Sequence, residues 1–274
     1  MRLPRPAASL LHAAALAVVA FLPANLPAVT PVSIKTDTIT YQIDGKTYEG
    51  SVSRPAQLPT ATVPGVLVVH DWMGYGPFGR ARAEELAKLG YVAMAVDLYG
   101  KGVHTKDAGE ASKLAGTFYQ DFPLFRTRMK AALAELLKQP GVDPARVGAM
   151  GFCFGGTAVL ELARSGAEVK AVVTFHGGLK TQLPAKEGEV KGAEMLILHG
   201  ALDPMVPPAD VANFMTEMNT AKVPYRLVAY PRAVHAFTNP DAGTDLSKPA
   251  AYTPEAAEAA FGEMREFFAR QFRQ

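Results

Sequence analysis

The sequence is poor in cysteine, with one in 274 residues. No disulfide can form within the chain, which excludes the small disulfide-stapled scaffolds. It has no H-x-H, no H-E-x-x-H and no Cys/His cluster, so no metal site is expected. No P-loop sequence appears, and no cofactor is expected. An excess of charge is also missing. The chain carries 28 Lys+Arg against 26 Asp+Glu, and the first thirty residues hold Arg2 and Arg5 but no acid, so the remainder is formally neutral. A neutral body exerts no long-range pull on phosphate, which makes nucleic acid a poor partner. With 49% hydrophobic residues, the composition is that of a globular protein and argues against disorder, collagen-like repeats and a multi-pass membrane protein.

The apolar stretch Leu10–Leu22 falls short of the ~20 residues of a spanning helix. It follows the basic Arg2 and Arg5 and precedes small residues at Ala24 and Ala28, which is the anatomy of a secretory signal peptide. The expectation is a leader over residues 1–28, cut near 24 or 28. Residues 29–274 would remain as a single domain of a secreted or periplasmic protein with no membrane anchor. In an oxidising compartment a lone thiol is a liability. Cys153 is therefore either buried and inert or required by the chemistry.

What is present alternates short β-branched runs with amphipathic stretches. Thr38–Ile43 and Thr47–Val52 flank Asp44-Gly45 and predict a β-hairpin. Strands are predicted at Gly65–Val69, Tyr91–Val96, Val147–Met150, Val169–Phe175, Met195–Leu198 and Tyr225–Tyr230. Runs such as VLVV and AVVTF lack polar alternation, so both faces should be buried in a central parallel sheet. Helical spacing recurs at Phe125, Met129, Leu133, Leu136 and Leu137, and at Val211, Phe214, Met215 and Met218. A last helix opens at Thr253-Pro254-Glu255 and aligns Ala257, Phe261, Met264, Phe268 and Phe272. A hairpin followed by β-α repeats predicts an α/β fold, a mostly parallel central sheet with helices on both faces. The polar stretch Asn239–Tyr252 is long for a loop, and such loops often border sites.

Gly151-Phe152-Cys153-Phe154-Gly155-Gly156 lies between a buried strand and the helix predicted over Phe154–Arg164. This is the G-x-nucleophile-x-G pattern of a nucleophile elbow, with Cys in place of Ser. Such a turn strains the nucleophile's backbone, and neighbours without Cβ let strand and helix approach. The helix N-terminus then offers free N–H groups to a developing anion. A buried Cys in a Gly-rich βα turn would look similar. The partners decide between the two readings. Asp203 follows one predicted strand and His235 follows the next, so the order is nucleophile, acid, histidine, as in the α/β-hydrolase fold. His70, His176 and His199 also end strands. His70 and His199 are read as shaping loops, His176 as lining the pocket, and His104 as a surface residue.

With these motifs in view, the sequence resembles the dienelactone hydrolase family over roughly the whole mature chain. The resemblance rests on GVLVVHDWMG (65–74), DLYGKG (97–102), GFCFGG (151–156), HGALDPMVP (199–207) and AVHAFTNP (233–240). It implies Cys153 as nucleophile, His235 as general base and Asp203 as its orienter. It also implies an oxyanion hole from the N–H groups of Phe154 and Trp72, and hydrolysis of cyclic enol-lactones or other carboxylic esters. Three departures bear on the substrate. Asp71 stands where the family's best-studied members hold a glutamate that activates the thiol; here Asp71 is read as accepting a hydrogen bond from Cys153. Asn239 stands where those members have a carboxylate-binding arginine. Residues 98–125, where a second arginine is expected, hold Lys101, Lys106 and Lys113 but no arginine. Bidentate carboxylate recognition favours Arg over Lys, so an uncharged ester or lactone is expected. Phe154, Trp72, Tyr99 and the Phe237 region are read as apolar walls, with Tyr99 contacting substrate. The reading is an exported thiol hydrolase acting on a small-molecule ester or lactone. The rival of another class is an exported, non-catalytic ligand-binding protein on the same fold. A thiol redox sensor would lack its resolving cysteine.

Overall fold

The computed structural model describes residues 32–273. The expected leader over residues 1–28 lies outside them. Eight strands, Ile34–Ile43 (β1), Lys46–Pro55 (β2), Val63–Val69 (β3), Val92–Val96 (β4), Val142–Phe152 (β5), Ala171–Phe175 (β6), Glu194–Gly200 (β7) and Tyr225–Tyr230 (β8), form one sheet in the order β1-β2-β4-β3-β5-β6-β7-β8. β1 and β2 make the expected hairpin. Asp44 and Gly45 join them at φ 51° and 74°, the two-residue turn whose twist suits a hairpin. β2 meets β4 antiparallel, and every later pairing is parallel.

Helices cover both faces. Leu67 and Val69 of β3 pack into a layer built by Ala108–Gln120 (α2), Phe122–Leu137 (α3), Phe154–Arg164 (α4) and Pro208–Thr220 (α5), around Phe118, Phe125, Met129 and Phe214. Val66 and Val68 point the other way, against Pro77–Lys88 (α1) and Pro254–Gln271 (α6), where Leu86, Met264, Phe267 and Phe268 are buried. Successive residues of β3 thus enter opposite layers, which is why its sequence is apolar without alternation. This is the α/β-hydrolase fold. Among the described residues, no helix is long and apolar enough to cross a membrane.

The structure adds two helices to those predicted. α1 buries only Gly79, Ala83, Leu86 and Ala87, and α2 buries Ala111, Ala115 and Phe118. Small residues at the buried positions weaken the apolar period that marks a helix. β5 also begins earlier than expected. Val142 and Asp143 pair with Val63 and Pro64 before a register shift at Pro64/Gly65, a stretch masked by Pro144 and its polar neighbours. The parallel strands all run in one direction. The segments leaving β3, β4, β5, β6, β7 and β8 therefore emerge at a single edge of the sheet, and the predicted site residues lie on them.

Candidate active site

Cys153 is the residue between β5 and α4, with φ 52° and ψ −115°. A positive φ is costly for a residue with a Cβ, and here the surroundings impose it. The Cys153 N–H donates to the Phe175 carbonyl at 3.0 Å, which ties the turn to β6. The glycines around it are sterically required. A Cβ on Gly151 would collide with the Gly155 carbonyl, one on Gly155 with the carbonyls of His70 and Val69, and one on Gly156 with Thr174 Oγ1 and Gly177. Gly155 thereby lets the first turn of α4 rest on the end of β3, next to the Asp71–Trp72 turn. The Cys153 side chain remains half-buried.

Asp203 and His235 meet as their order predicts. His235 Nδ1 donates to Asp203 Oδ2 at 2.8 Å, and the other carboxylate oxygen, Oδ1, accepts the Met205 N–H at 2.8 Å. Both side chains are buried. The His235 backbone is fixed by a short bridge to the later loop: its N–H donates to Pro249 O, and its carbonyl accepts the Ala251 N–H. The long polar stretch Asn239–Tyr252 thus braces the His235 loop. Among the described residues, no nitrogen or oxygen hydrogen-bonds to the buried His235 Nε2, which faces the Cys153 sulfur. Burial alone would lower the imidazole's pKa. The charge of the facing Cys153 sulfur, together with the hydrogen-bonded Asp203, outweighs burial and holds it at about 10. The arrangement favours the imidazolium form of His235.

Trp72 and Phe154, the two residues expected to supply an oxyanion hole, follow β3 and β5. Phe154 is the first residue of α4, where no intrahelical carbonyl can reach its N–H. Among the described residues, neither N–H donates to a backbone carbonyl. The Trp72 turn is fastened from behind. Tyr99 Oη donates to the Trp72 carbonyl at 3.1 Å, and His70 bridges two loops by donating from Nδ1 to Asp71 O and accepting the Leu98 N–H at Nε2. Burial lowers the His70 pKa, so it serves as a neutral strut, stacked on Phe154. His70 shapes a loop, as expected.

Three of the expected contacts take a different form. Tyr99 is buried among His70, Phe118 and Phe154, and its hydroxyl is committed to the Trp72 turn, so it braces that turn rather than standing as an exposed wall. His176 lies beneath His235, edge to face at 5.1 Å, with Nε2 bonded to Thr238 Oγ1 at 2.8 Å. Burial, and next the neighbouring His235 charge, push its pKa well down, so it packs against His235 as a neutral ring. Asp71 Oδ1 accepts the Met73 N–H at 2.8 Å, and no hydrogen bond joins it to Cys153 among the described residues. The short aspartate side chain is satisfied within its own turn.

The remaining polar groups also find their places. His199 is buried at the end of β7, and His104 is exposed. Asn239 Oδ1 accepts the Asp241 N–H at 3.0 Å and caps a short 3-10 turn. Arg126, just past the arginine-free segment, is bound to Glu161 and the Leu183 carbonyl, while Lys101 pairs with Glu49. Tyr119 was not foreseen. Its hydroxyl bonds Thr157 Oγ1 at 3.2 Å, and burial, then the Cys153 charge, raise its pKa, which sets it near the thiol. Gly74-Tyr75-Gly76-Pro77-Phe78-Gly79 has the G-x-G-x-x-G spacing of dinucleotide-binding turns and opens α1. Its glycines serve other ends. Gly74 backs onto His104 in a β-bridge, and Gly79 faces open space rather than a packed strand. No group of three or more His, Cys, Asp or Glu residues is placed to hold a metal among the described residues.

Residues 49–272 match the model of the dienelactone hydrolase family. The solved structure of m3DLH is 36% identical, with a TM-score of 0.83 over 88% of this chain and 99% of that one. A dienelactone hydrolase-like promiscuous phosphotriesterase from metagenomic libraries is 34% identical, with a TM-score of 0.80 over the same shares of the two chains. A Synechocystis protein named "Putative carboxymethylenebutenolidase" is 26% identical over 251 residues, 86% of this chain and 97% of that protein.

Proposed function

The chain belongs to the dienelactone hydrolase family, and on that premise we propose that it cleaves a carboxylic ester or lactone through a thioester on Cys153. The observation that carries the reading is the strained backbone of Cys153 at the start of α4, with the buried Asp203–His235 pair whose imidazole pKa the Cys153 charge helps to raise. The thiolate attacks the carbonyl carbon, and the oxygen takes up the electron pair as an oxyanion held by the Trp72 and Phe154 N–H groups. Collapse breaks the C–O bond, and the leaving alkoxide takes the proton of His235 Nε2. A water molecule next gives a proton to His235 and adds to the thioester carbonyl. The second collapse releases the carboxylic acid and restores the thiolate beside the imidazolium. Throughout, Asp203 accepts the Nδ1–H bond and fixes the tautomer.

The substrate is an uncharged lactone or short aryl ester. Asn239 offers an amide where a carboxylate would need a cation, and a buried carboxylate without one is costly. In a panel of purified protein with neutral lactones, aryl esters and carboxylated dienelactones, kcat/KM should favour the neutral compounds. Asn239→Arg should shift the ratio toward the anionic lactone. A preference of about tenfold for the carboxylated lactone in the wild type, near 1.4 kcal/mol of transition-state binding, would overturn the substrate assignment.

A further inference from the structure

Tyr119, in the last turn of α2, is the only exposed aromatic residue among those described, at 38%. Its ring is nonetheless fixed. It meets Phe154 edge to face at 6.2 Å and Phe125 of α3 at 5.6 Å. Its hydroxyl lies 3.2 Å from Thr157 Oγ1. Thr157 Oγ1 gives its one proton to the Gly178 carbonyl at 3.0 Å, so Tyr119 is the donor to Thr157. Thr157 is buried, and its N–H donates to Cys153 O at 3.3 Å, one helical turn from the thiol residue. The hydroxyl end of Tyr119 is thus held one turn along α4 from Cys153, and its ring lies on the residue that follows Cys153. The Cys153 charge is felt there, after burial, in the raised pKa of the phenol. The segment that backs Tyr119 cannot retreat. Beyond Gly178, Arg164 donates to Leu179 O at 3.0 Å and Arg126 to Leu183 O at 2.6 Å, and Glu161, whose side chain is fully buried, binds both guanidiniums. Displacing one member would leave a buried charge unpaired, so the frame resists movement.

We propose that Tyr119 is a specificity-determining residue: its ring limits the bulk of the group that the Cys153 sulfur can accept. A fixed aromatic face beside the thiol admits small groups and turns away large ones. For the acyl group of an ester this rests on the hydrolase reading; for the thiol itself it does not. The test therefore begins with alkylation, which needs no turnover. Iodoacetamide and N-phenyliodoacetamide are both uncharged and differ in bulk. With each, the sulfur forms a C–S bond and iodide leaves with the electron pair of the C–I bond. Cys153 is the only cysteine, so the mass of the intact protein reports its reaction. Rates are divided by those of N-acetylcysteine to remove the reagents' own reactivity. Iodoacetamide should then be preferred by at least about tenfold, the discrimination an apolar pocket achieves on size. Tyr119→Ala should bring that preference close to one, and Tyr119→Trp should raise it. Unfolding could only lower it, so the tryptophan variant separates a size limit from lost structure. Tyr119→Phe should keep the preference, because its ring still rests on Phe154. The same variants are assayed on p-nitrophenyl acetate and hexanoate, where Tyr119→Ala should shift kcat/KM toward the hexanoate. A wild-type preference near one, or a preference that Tyr119→Trp fails to raise, would overturn the proposal whatever the esterase activity. The expected alkylation pattern with neither ester hydrolysed by the wild type would uphold Tyr119 as the limit on size and overturn the hydrolase reading instead.

Discussion

At His235, burial disfavours the charged imidazole while Cys153 and Asp203 favour it, and the charges win. The imidazolium form is the one that can protonate a leaving alkoxide, so the ion pair and the rate should fail together as pH rises. The alkaline limb of kcat/KM is expected near pH 10, reporting the pair rather than either residue alone. Asp203→Asn removes one of the two charges that raise the imidazole's pKa, so the limb should move to lower pH. A pH–rate profile of the two proteins on a neutral aryl ester checks the sign, and an unmoved limb would remove Asp203 from this role. The grouping of Cys153, Asp203 and His235 was legible in the sequence because each follows a predicted strand, and the parallel sheet brings those strand ends together. The roles of Tyr99 and His176 were not. Both motifs place a polar aromatic at a strand end, and only the packing tells whether it faces the substrate or the back of a neighbour. Tyr99 Oη is spent on Trp72 O, and the His176 ring lies under His235. Thr238, which holds His176, had no signal beyond lying near the histidine.

The elbow is the element on which the site depends. Its glycines are required by contact with backbone, which cannot yield as a flexible side chain can. In Gly155→Ala the new methyl would meet the carbonyls of Val69 and His70, so β3 and α4 would have to separate. Overpacking at such a point should cost about 3 kcal/mol or more of folding stability, read as a lower urea midpoint, with activity lost because the two oxyanion donors part. A variant of wild-type stability and rate would show that the close approach is unnecessary. The strands were legible from their apolar runs, and α3, α5 and α6 from their spaced large residues. α1 and α2 were not, because their buried faces are largely alanine and glycine. The upstream end of β5 was hidden because its pairing crosses a register shift.

The whole molecule joins a neutral body to a basic, apolar N-terminal stretch, and its single thiol lies at the focus of the sheet. We propose that the protein is exported, so material recovered outside the cytoplasm should begin near Asn25 or Val29 by mass spectrometry. An intact Met1 on soluble exported protein would contradict this. The central claim is that turnover passes through a thioester on Cys153. The direct measurement is acid-quenching during turnover of p-nitrophenyl acetate, followed by mass spectrometry of the intact protein and its peptides. The account predicts one added acetyl group on the peptide containing Cys153, absent from Cys153→Ala, with hydrolysis lost in that variant. An acetyl group found elsewhere, or hydrolysis by Cys153→Ala at the wild-type rate, would contradict it.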